Sequence, residues 1–125
     1  MRRRTFAAIL TSMILSAGAV CLTSCTAPGA GAKAEAGYAN ARPVIAALEK
    51  YHETHKEYPA TLNDLVPLEL ADSAAKTPDG KPVSEFFEYK KSGPSYQLQF
   101  RYSGPGMNRC VYTPEAAKWE CAGHY

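Results

Sequence analysis

An amphipathic pattern across residues 38–67 constrains the fold more than any other feature of the sequence. At about 100° per residue its apolar side chains share one face and charged side chains occupy the other; the apolar set is Val44, Ile45, Leu48, Tyr51 and Tyr58. The pattern predicts a helix that ends at Tyr58, because a residue before proline is disfavoured in the α region. A helix with one apolar face is not stable alone, so the chain must supply a sheet to cover it.

An asparagine and a proline suggest where this helix begins. Asn40 is a natural N-cap. Pro43 fits the first turn, where its missing N–H has no intrahelical partner. If the helix instead begins in the alanine-rich stretch before residue 38, Pro43 marks a kink. After the helix, residues 61–64 predict a short capped helix, and the two leucines of residues 68–70 are expected to join the core.

From residue 84 onward the apolar period changes from helical to two. The clearest strand is 95–103, in which Tyr96, Leu98, Phe100 and Tyr102 alternate with polar residues. Such alternation predicts an antiparallel sheet with one buried and one solvated face. Further strands are expected at 84–90, 108–113 and 118–121, with glycine and proline marking the turns between them.

The N-terminal segment has the pattern of an export signal. Three arginines open it, and an apolar run follows that is short for a membrane span. The run closes on Leu-Thr-Ser-Cys, which resembles the lipobox of bacterial lipoproteins. That resemblance implies cleavage before Cys25, a diacylglycerol on its thiol and an acyl chain on its new amine. The alternative is an ordinary secretory signal with an incidental cysteine. Residues 1–24 are thus read as a signal peptide and 25–37 as a flexible tether.

The cysteine count agrees with export. Of the 4 cysteines, one lies in the signal and Cys25 would carry the lipid. Cys110 and Cys121 remain, an even pair in an exported chain, which predicts a disulfide. If the chain were not exported, both would be reduced thiols, too few for a metal site on their own.

Charge argues against nucleic acid as a partner. The full chain has 14 Lys and Arg, but three of the arginines lie in the signal, which leaves 11 basic residues against 12 acidic ones. The basicity therefore belongs to the signal, and the remainder lacks the electrostatic footprint of a nucleic-acid-binding domain.

The predicted helix and the segment after it resemble the globular half of type IV pilin-like proteins, above all the major pseudopilin of type II secretion. The resemblance covers residues 38 to about 102 and rests on Ala47-Leu48, Tyr51, Tyr58-Pro59, Thr61-Leu62, Leu65-Val66, Pro78-Asp79-Gly80-Lys81-Pro82, Tyr89 and Tyr96-Gln97-Leu98. It implies an α+β, pilin-like fold for residues 38–125, with one long N-terminal helix packed on a small antiparallel sheet of three to four strands.

Two departures from that family affect the functional reading. A lipobox and a tether stand where pilins carry the long apolar helix that packs the filament core. The acidic calcium loop of the pseudopilin is also missing, since residues 103–108 contain no carboxylate and a hard cation needs several oxygen ligands. We expect the cysteine-closed hairpin to supply the order that calcium gives those relatives.

Candidate catalytic and metal-binding residues are few. Glu49, His52 and His55 recur every third residue, and helical Glu-x-x-His can bind metals. The helical angles place His55 near the centre of the apolar stripe and Glu49 well round from it, so no metal site is predicted. His124 is expected to be exposed. No motif for an activated nucleophile or a phosphate-binding loop is visible, so neither an enzyme, nor a small-molecule substrate, nor a cofactor beyond the lipid is expected.

The aromatic residues near the C-terminus are the candidate partner-binding residues. Most tyrosines follow the apolar periodicity and are expected in the core. The apolar periodicity explains three of the aromatic residues less well: Tyr112, Trp119 and Tyr125. Because exposed aromatic residues dominate interface energetics, these three are the candidates for binding a partner.

The sequence thus predicts a protein of the bacterial cell envelope that is anchored to a membrane by lipid and acts by protein–protein interaction. Thr26, rather than aspartate, follows the lipid-bearing cysteine, which by resemblance to the sorting pattern of lipoproteins implies the outer membrane, facing the periplasm. Two kinds of partner stay open: components of a secretion or pilus machine, and unrelated envelope components. A metal-binding or hydrolytic role is a distant third.

Overall fold

The computed structural model describes residues 27–124. The predicted signal peptide, the lipid-bearing Cys25 and the partner-binding candidate Tyr125 lie outside the described residues. In chain order the elements are helix α1 (Ala32–His55), a 3-10 helix (Leu62–Leu65), helix α2 (Val83–Phe86) and strands β1 (Glu88–Ser92), β2 (Ser95–Ser103), β3 (Met107–Thr113) and β4 (Lys118–His124). Across residues 27–124, no helix has the length and apolar character needed to cross a membrane.

The four strands form one antiparallel sheet in the order β1-β2-β3-β4. The alternation predicted for β2 is confirmed: Tyr96, Leu98 and Phe100 are buried, while Gln97 and Arg101 are exposed. One face of the sheet therefore carries the core and the other is solvated, as is usual for antiparallel sheets.

The predicted fold class, a pilin-like fold with one long helix packed on the sheet, is wrong as stated. The structure is a small α+β fold in which α1 approaches the sheet mainly at β2. Much of the stripe that α1 buries is small, with Ala34, Gly37, Ala41 and Ala47 among its buried residues, so the helix offers too little apolar area to cover four strands. Aromatic side chains of the sheet and the segment between α1 and β1 complete the core instead.

Helix α1 begins at Ala32, within the stretch predicted to be the tether. Its N-cap is Gly31, with φ +91°, a conformation that glycine adopts without steric cost. Asn40 is therefore not the N-cap, and Pro43 lies inside the helix. The run of alanines allows this early start because alanine has the highest helix propensity. The helix ends at His55, since Lys56 adopts a left-handed conformation and its N–H donates to the His52 carbonyl at 2.8 Å.

The segment between α1 and β1 differs from its prediction in two places. Leu70 is buried, but Leu68 is 76% exposed. The N–H groups of residues 69 and 70 both donate to the Leu65 carbonyl, so residues 66–68 form a turn on which Leu68 faces solvent. Residues 84–86 are helical rather than extended. This turn brings Phe86 and Phe87 to 6.0 and 6.1 Å from the Phe100 ring, and both rings join the core cluster.

Candidate functional site

The β3–β4 hairpin places the aromatic candidates and the cysteines on its inner face. Tyr112 pairs with Trp119 and Cys110 pairs with Cys121 across the strands. The two sulfur atoms lie 2.04 Å apart, a disulfide distance, and the Cα atoms are 4.1 Å apart. Cys110 is fully buried and Cys121 half-buried, so the covalent link fixes the hairpin from within the core.

Trp119 is held by three aromatic rings. Its ring centroid lies 5.1 Å from Phe100, 5.4 Å from Tyr112 and 5.5 Å from Tyr38 of helix α1. Both Trp119 and Tyr112 are half-buried, so each has one side in the core and another in contact with solvent. The structure therefore supports a mixed role for these two residues, part core packing and part surface.

The flank of α1 that faces this hairpin completes a surface we call the seam, defined by Tyr38, Ile45, Glu49, Tyr112 and Trp119. All five residues are half-buried. Tyr38, Ile45 and Glu49 are spaced by seven and four residues, which places them on one side of a helix. The seam thus runs along α1, with an aromatic side given by the hairpin and a carboxylate near its far end.

Glu49 organises the polar end of the seam. Its carboxylate oxygens accept hydrogen bonds from the Tyr58 hydroxyl at 3.2 and 3.3 Å, and Oε1 lies 3.5 Å from the Tyr96 hydroxyl. Burial, with the Glu49 charge as a second cause, raises the pKa of Tyr58 to about 12 and raises the pKa of Tyr96 further. The same two causes raise the pKa of Tyr112. These phenols therefore stay protonated at neutral pH, and those of Tyr58 and Tyr96 are directed at the Glu49 carboxylate.

The two helical histidines are turned onto tyrosine rings. His52 stacks on Tyr58 with centroids 4.4 Å apart, and His55 stacks on Tyr51 at 3.9 Å. His55 is exposed and its Nδ1 lies 3.0 Å from the Tyr51 carbonyl oxygen, so its predicted place in the apolar stripe is wrong, because α1 ends there. Within residues 27–124 no three His, Cys, Asp or Glu side chains come close enough to hold a metal ion.

The sequence pattern does not identify Tyr38 and Ile45 as seam residues, and it places Glu49 only on a solvated face. Tyr38 is the first residue of the predicted domain, whereas in the structure it lies about two turns inside α1. The signal that could have revealed it was the alanine-rich stretch before residue 38, which favours an earlier helix start.

Comparisons of the chain with protein-family models, with curated proteins and with solved structures gave no match. The resemblance to pilin-like proteins gains no support from them, and secretion or pilus components stay a prediction from sequence alone. What can be said of function rests on the seam and on the lipobox.

Proposed function

We propose that this protein is a lipid-anchored component of the bacterial cell envelope, facing the periplasm from the outer membrane, that binds a protein partner through the seam. The observation that carries the proposal is the half-exposed pair of Tyr112 and Trp119, fixed on the disulfide-closed hairpin. The lipobox that ends at Cys25 gives the anchor, and several acyl chains hold a protein on a membrane durably where one does not.

The packing around Trp119 favours binding because the side chain is preorganised. Three rings restrict its rotamer before any partner arrives, so little side-chain entropy is lost on association. Tryptophan and tyrosine are enriched among the residues that contribute most to interfaces. Beside them, the half-buried carboxylate of Glu49 supplies a hydrogen-bond acceptor that can fix the register of a partner.

The tyrosines near Glu49 and the two helical histidines favour binding over catalysis. A covalent mechanism needs a nucleophile activated by a base, and the phenols near Glu49 have raised pKa values. His52 is stacked on Tyr58 and His55 on Tyr51, so the two imidazoles are packed against separate rings. Tyr58 and Tyr96 are buried with their hydroxyls directed at Glu49, so in a binding role they hold that carboxylate in position on the seam.

Photo-cross-linking in cells tests the proposal. A photoreactive amino acid replaces Arg42, which is exposed on the seam side of α1, and, as the matched control, Gln97, which is exposed on the solvated sheet face. We expect a specific cross-linked protein from position 42 and none from position 97. The same experiment in a Trp119→Phe background keeps an aromatic ring in the core but shrinks the exposed part, so the cross-link should weaken while the melting temperature stays close to that of the wild type.

Identification of the cross-linked protein by mass spectrometry separates the two kinds of partner. A secretin, a pseudopilin or a pilus subunit would make the protein an accessory of that machine. A different envelope component would make it an independent binding protein. Cross-links that form equally from positions 42 and 97, or that ignore Trp119→Phe, would contradict a binding role for the seam.

A further inference from the structure

The five residues before α1 are hydrogen-bonded to the sheet and packed against it. We call residues 27–31 the strap. The Gly29 N–H donates to the Tyr102 hydroxyl at 2.8 Å, and the Tyr38 hydroxyl donates to the Gly29 carbonyl at 2.8 Å. Pro28 and Gly29 are half-buried. A Cβ added to Gly29 would lie 2.8 Å from the Cys121 sulfur, so the backbone of the strap rests directly against the disulfide.

This fastening leaves very little chain between the folded domain and the proposed lipid. Thr26 alone stands between Ala27 and Cys25. Two residues span at most about 7 Å when fully extended, so the Cα atom that carries the lipid must lie within that distance of the end of the strap. A domain on so short a connection cannot stand away from the membrane surface.

We infer that the strap, the β2–β3 turn and the start of β3 form a surface that docks flush on the lipid bilayer. The inference rests on the proposed lipidation of Cys25 and deepens it, because it assigns the membrane-facing end of the domain. Ala27 and Ala30 of the strap line the same 160 Å³ cavity as Gly104 and Pro105 of the turn, which places the two segments side by side.

The side chains of this end have the chemistry of a membrane-facing surface. Met107 is 54% exposed, one of two large apolar side chains that are exposed within residues 27–124. Lys33 and Arg109 are exposed at the same end, and the Lys33 ammonium donates to the Ser103 carbonyl. Residues 27–33 and 103–109 contain no aspartate or glutamate. Apolar and cationic groups together suit the boundary between acyl chains and anionic headgroups.

The opposite end of the molecule carries exposed charges of both signs. Helix α1 rises about 36 Å from Ala32 to His55, and β2 runs antiparallel to it, because Tyr102 meets Tyr38 through the strap whereas Tyr96 meets Tyr58. Glu57 and Glu115 are exposed toward the far end, and so are Lys56 and Lys118. Docking by the far end would therefore bring carboxylates to anionic lipid, whereas residues 27–33 and 103–109 contain none.

Spin labels on the lipidated protein in vesicles of phosphatidylglycerol and phosphatidylcholine test the inference. One label is attached through Pro105→Cys in the β2–β3 turn, and the matched label through Ala116→Cys, exposed in the β3–β4 turn about 20 Å away along β3. Intact mass confirms that Cys110 and Cys121 remain bonded. We expect the label at 105 to be relaxed more by oxygen than by a water-soluble nickel chelate, and the label at 116 to show the reverse.

Two changes sharpen the measurement. Met107→Gln should move the label at 105 toward the aqueous response, because it removes the apolar contact without touching the strap. Pure phosphatidylcholine vesicles should do the same to a smaller extent, since they lack the anionic headgroups that Lys33 and Arg109 would meet.

The failures of the two proposals are distinguishable. Absence of acyl chains on Cys25 by mass spectrometry, with no co-flotation with vesicles, would overturn the proposed function and this inference with it. A lipidated, vesicle-bound protein whose labels at 105 and 116 are equally accessible to the nickel chelate would overturn this inference alone.

Discussion

The two ends of helix α1 are fastened to the sheet by different kinds of interaction. At the N-terminal end the hydrogen bonds of the strap are supplemented by steric and covalent contacts: Gly37 lies against the Phe100 ring, Tyr38 packs on Trp119, and the hairpin beneath is closed by the disulfide. At the C-terminal end they are polar: Tyr58 donates to Glu49, and Lys91 forms an ion pair with Glu57 at 2.9 Å.

The difference between the two ends predicts how each one responds to pH and to substitution. Close packing and covalent closure do not depend on ionisation, so the end that we place on the membrane should be less sensitive to pH than the polar end. Hydrogen bonds between phenols and a half-buried carboxylate are individually modest and depend on protonation. The end of the seam near Glu49 should therefore lose stability most readily when the pH changes or when a single residue is substituted conservatively.

Loss of the disulfide should have the largest effect. The double variant Cys110→Ala, Cys121→Ala removes a cross-link with a sequence separation of 11, for which the chain-entropy description gives about 3 kcal/mol. We expect the melting temperature to fall by more than about 10 °C, measured by circular dichroism. A reductant should lower the wild type similarly and leave the double variant unaffected. An unchanged wild-type melting temperature under reduction would refute the idea that the hairpin needs this link for order.

Gly37→Ala should cause the second-largest loss of stability, although helices normally favour alanine over glycine. Alanine is normally better than glycine inside a helix by about 1 kcal/mol, but here an added Cβ would overlap the Phe100 ring. Overpacking of this kind costs about 1–3 kcal/mol, so the variant should be destabilised. Ala36→Gly, at the exposed neighbouring position, is the matched control and should lose about 1 kcal/mol. A Gly37→Ala protein more stable than the wild type in urea titration would contradict close packing at this end.

At the polar end, Tyr58→Phe should cost less. The change removes a hydroxyl that donates to both Glu49 oxygens while it keeps the ring against Tyr96 and His52. We expect a loss of about 1 kcal/mol. A double-mutant cycle with Glu49→Gln isolates the pair, with an expected coupling of at least about 0.5 kcal/mol. Additive effects of the two substitutions would show that these hydrogen bonds contribute nothing to stability.

Much of the sheet could be predicted from sequence because its periodicity is local. The alternation in β2 and the turns that flank it follow directly from the order of residues. The helix boundaries could not be predicted as well, because the choice between a start at Asn40 and one at Ala32 depends on whether the strap finds partners. Those partners, Tyr102 and the disulfide, lie some 70 to 90 residues further along the chain.

The seam shows the same limit. Trp119 and Tyr112 stood out in the sequence because a terminal hairpin had no evident cover, but nothing local indicates that Tyr38 lies beside Trp119. Glu49 looked solvated because its helical neighbours are charged, and its phenol partners come from a loop and from β2. The pilin-like fold class failed for a related reason, since motif residues do not report how much apolar area a helix offers.

The smallest expected effect is a loss of folding stability at alkaline pH, caused by ionisation of Tyr58 at the polar end. Burial and the Glu49 charge raise the pKa of Tyr58 to about 12, whereas an unfolded tyrosine has a pKa of about 10. Between these values the unfolded chain has released a proton that the folded chain retains, so stability falls as pH rises. The stabilising contribution is complete below pH 10 and is lost as pH approaches about 12.

We therefore expect the free energy of unfolding of the wild type to decline more steeply between pH 10 and about 12 than that of Tyr58→Phe. Glu49→Gln should shift the onset of phenolate absorbance to lower pH, because it removes a charge that opposes ionisation. Equal slopes in the wild type and Tyr58→Phe would contradict a contribution of Tyr58 to the pH dependence of the polar end.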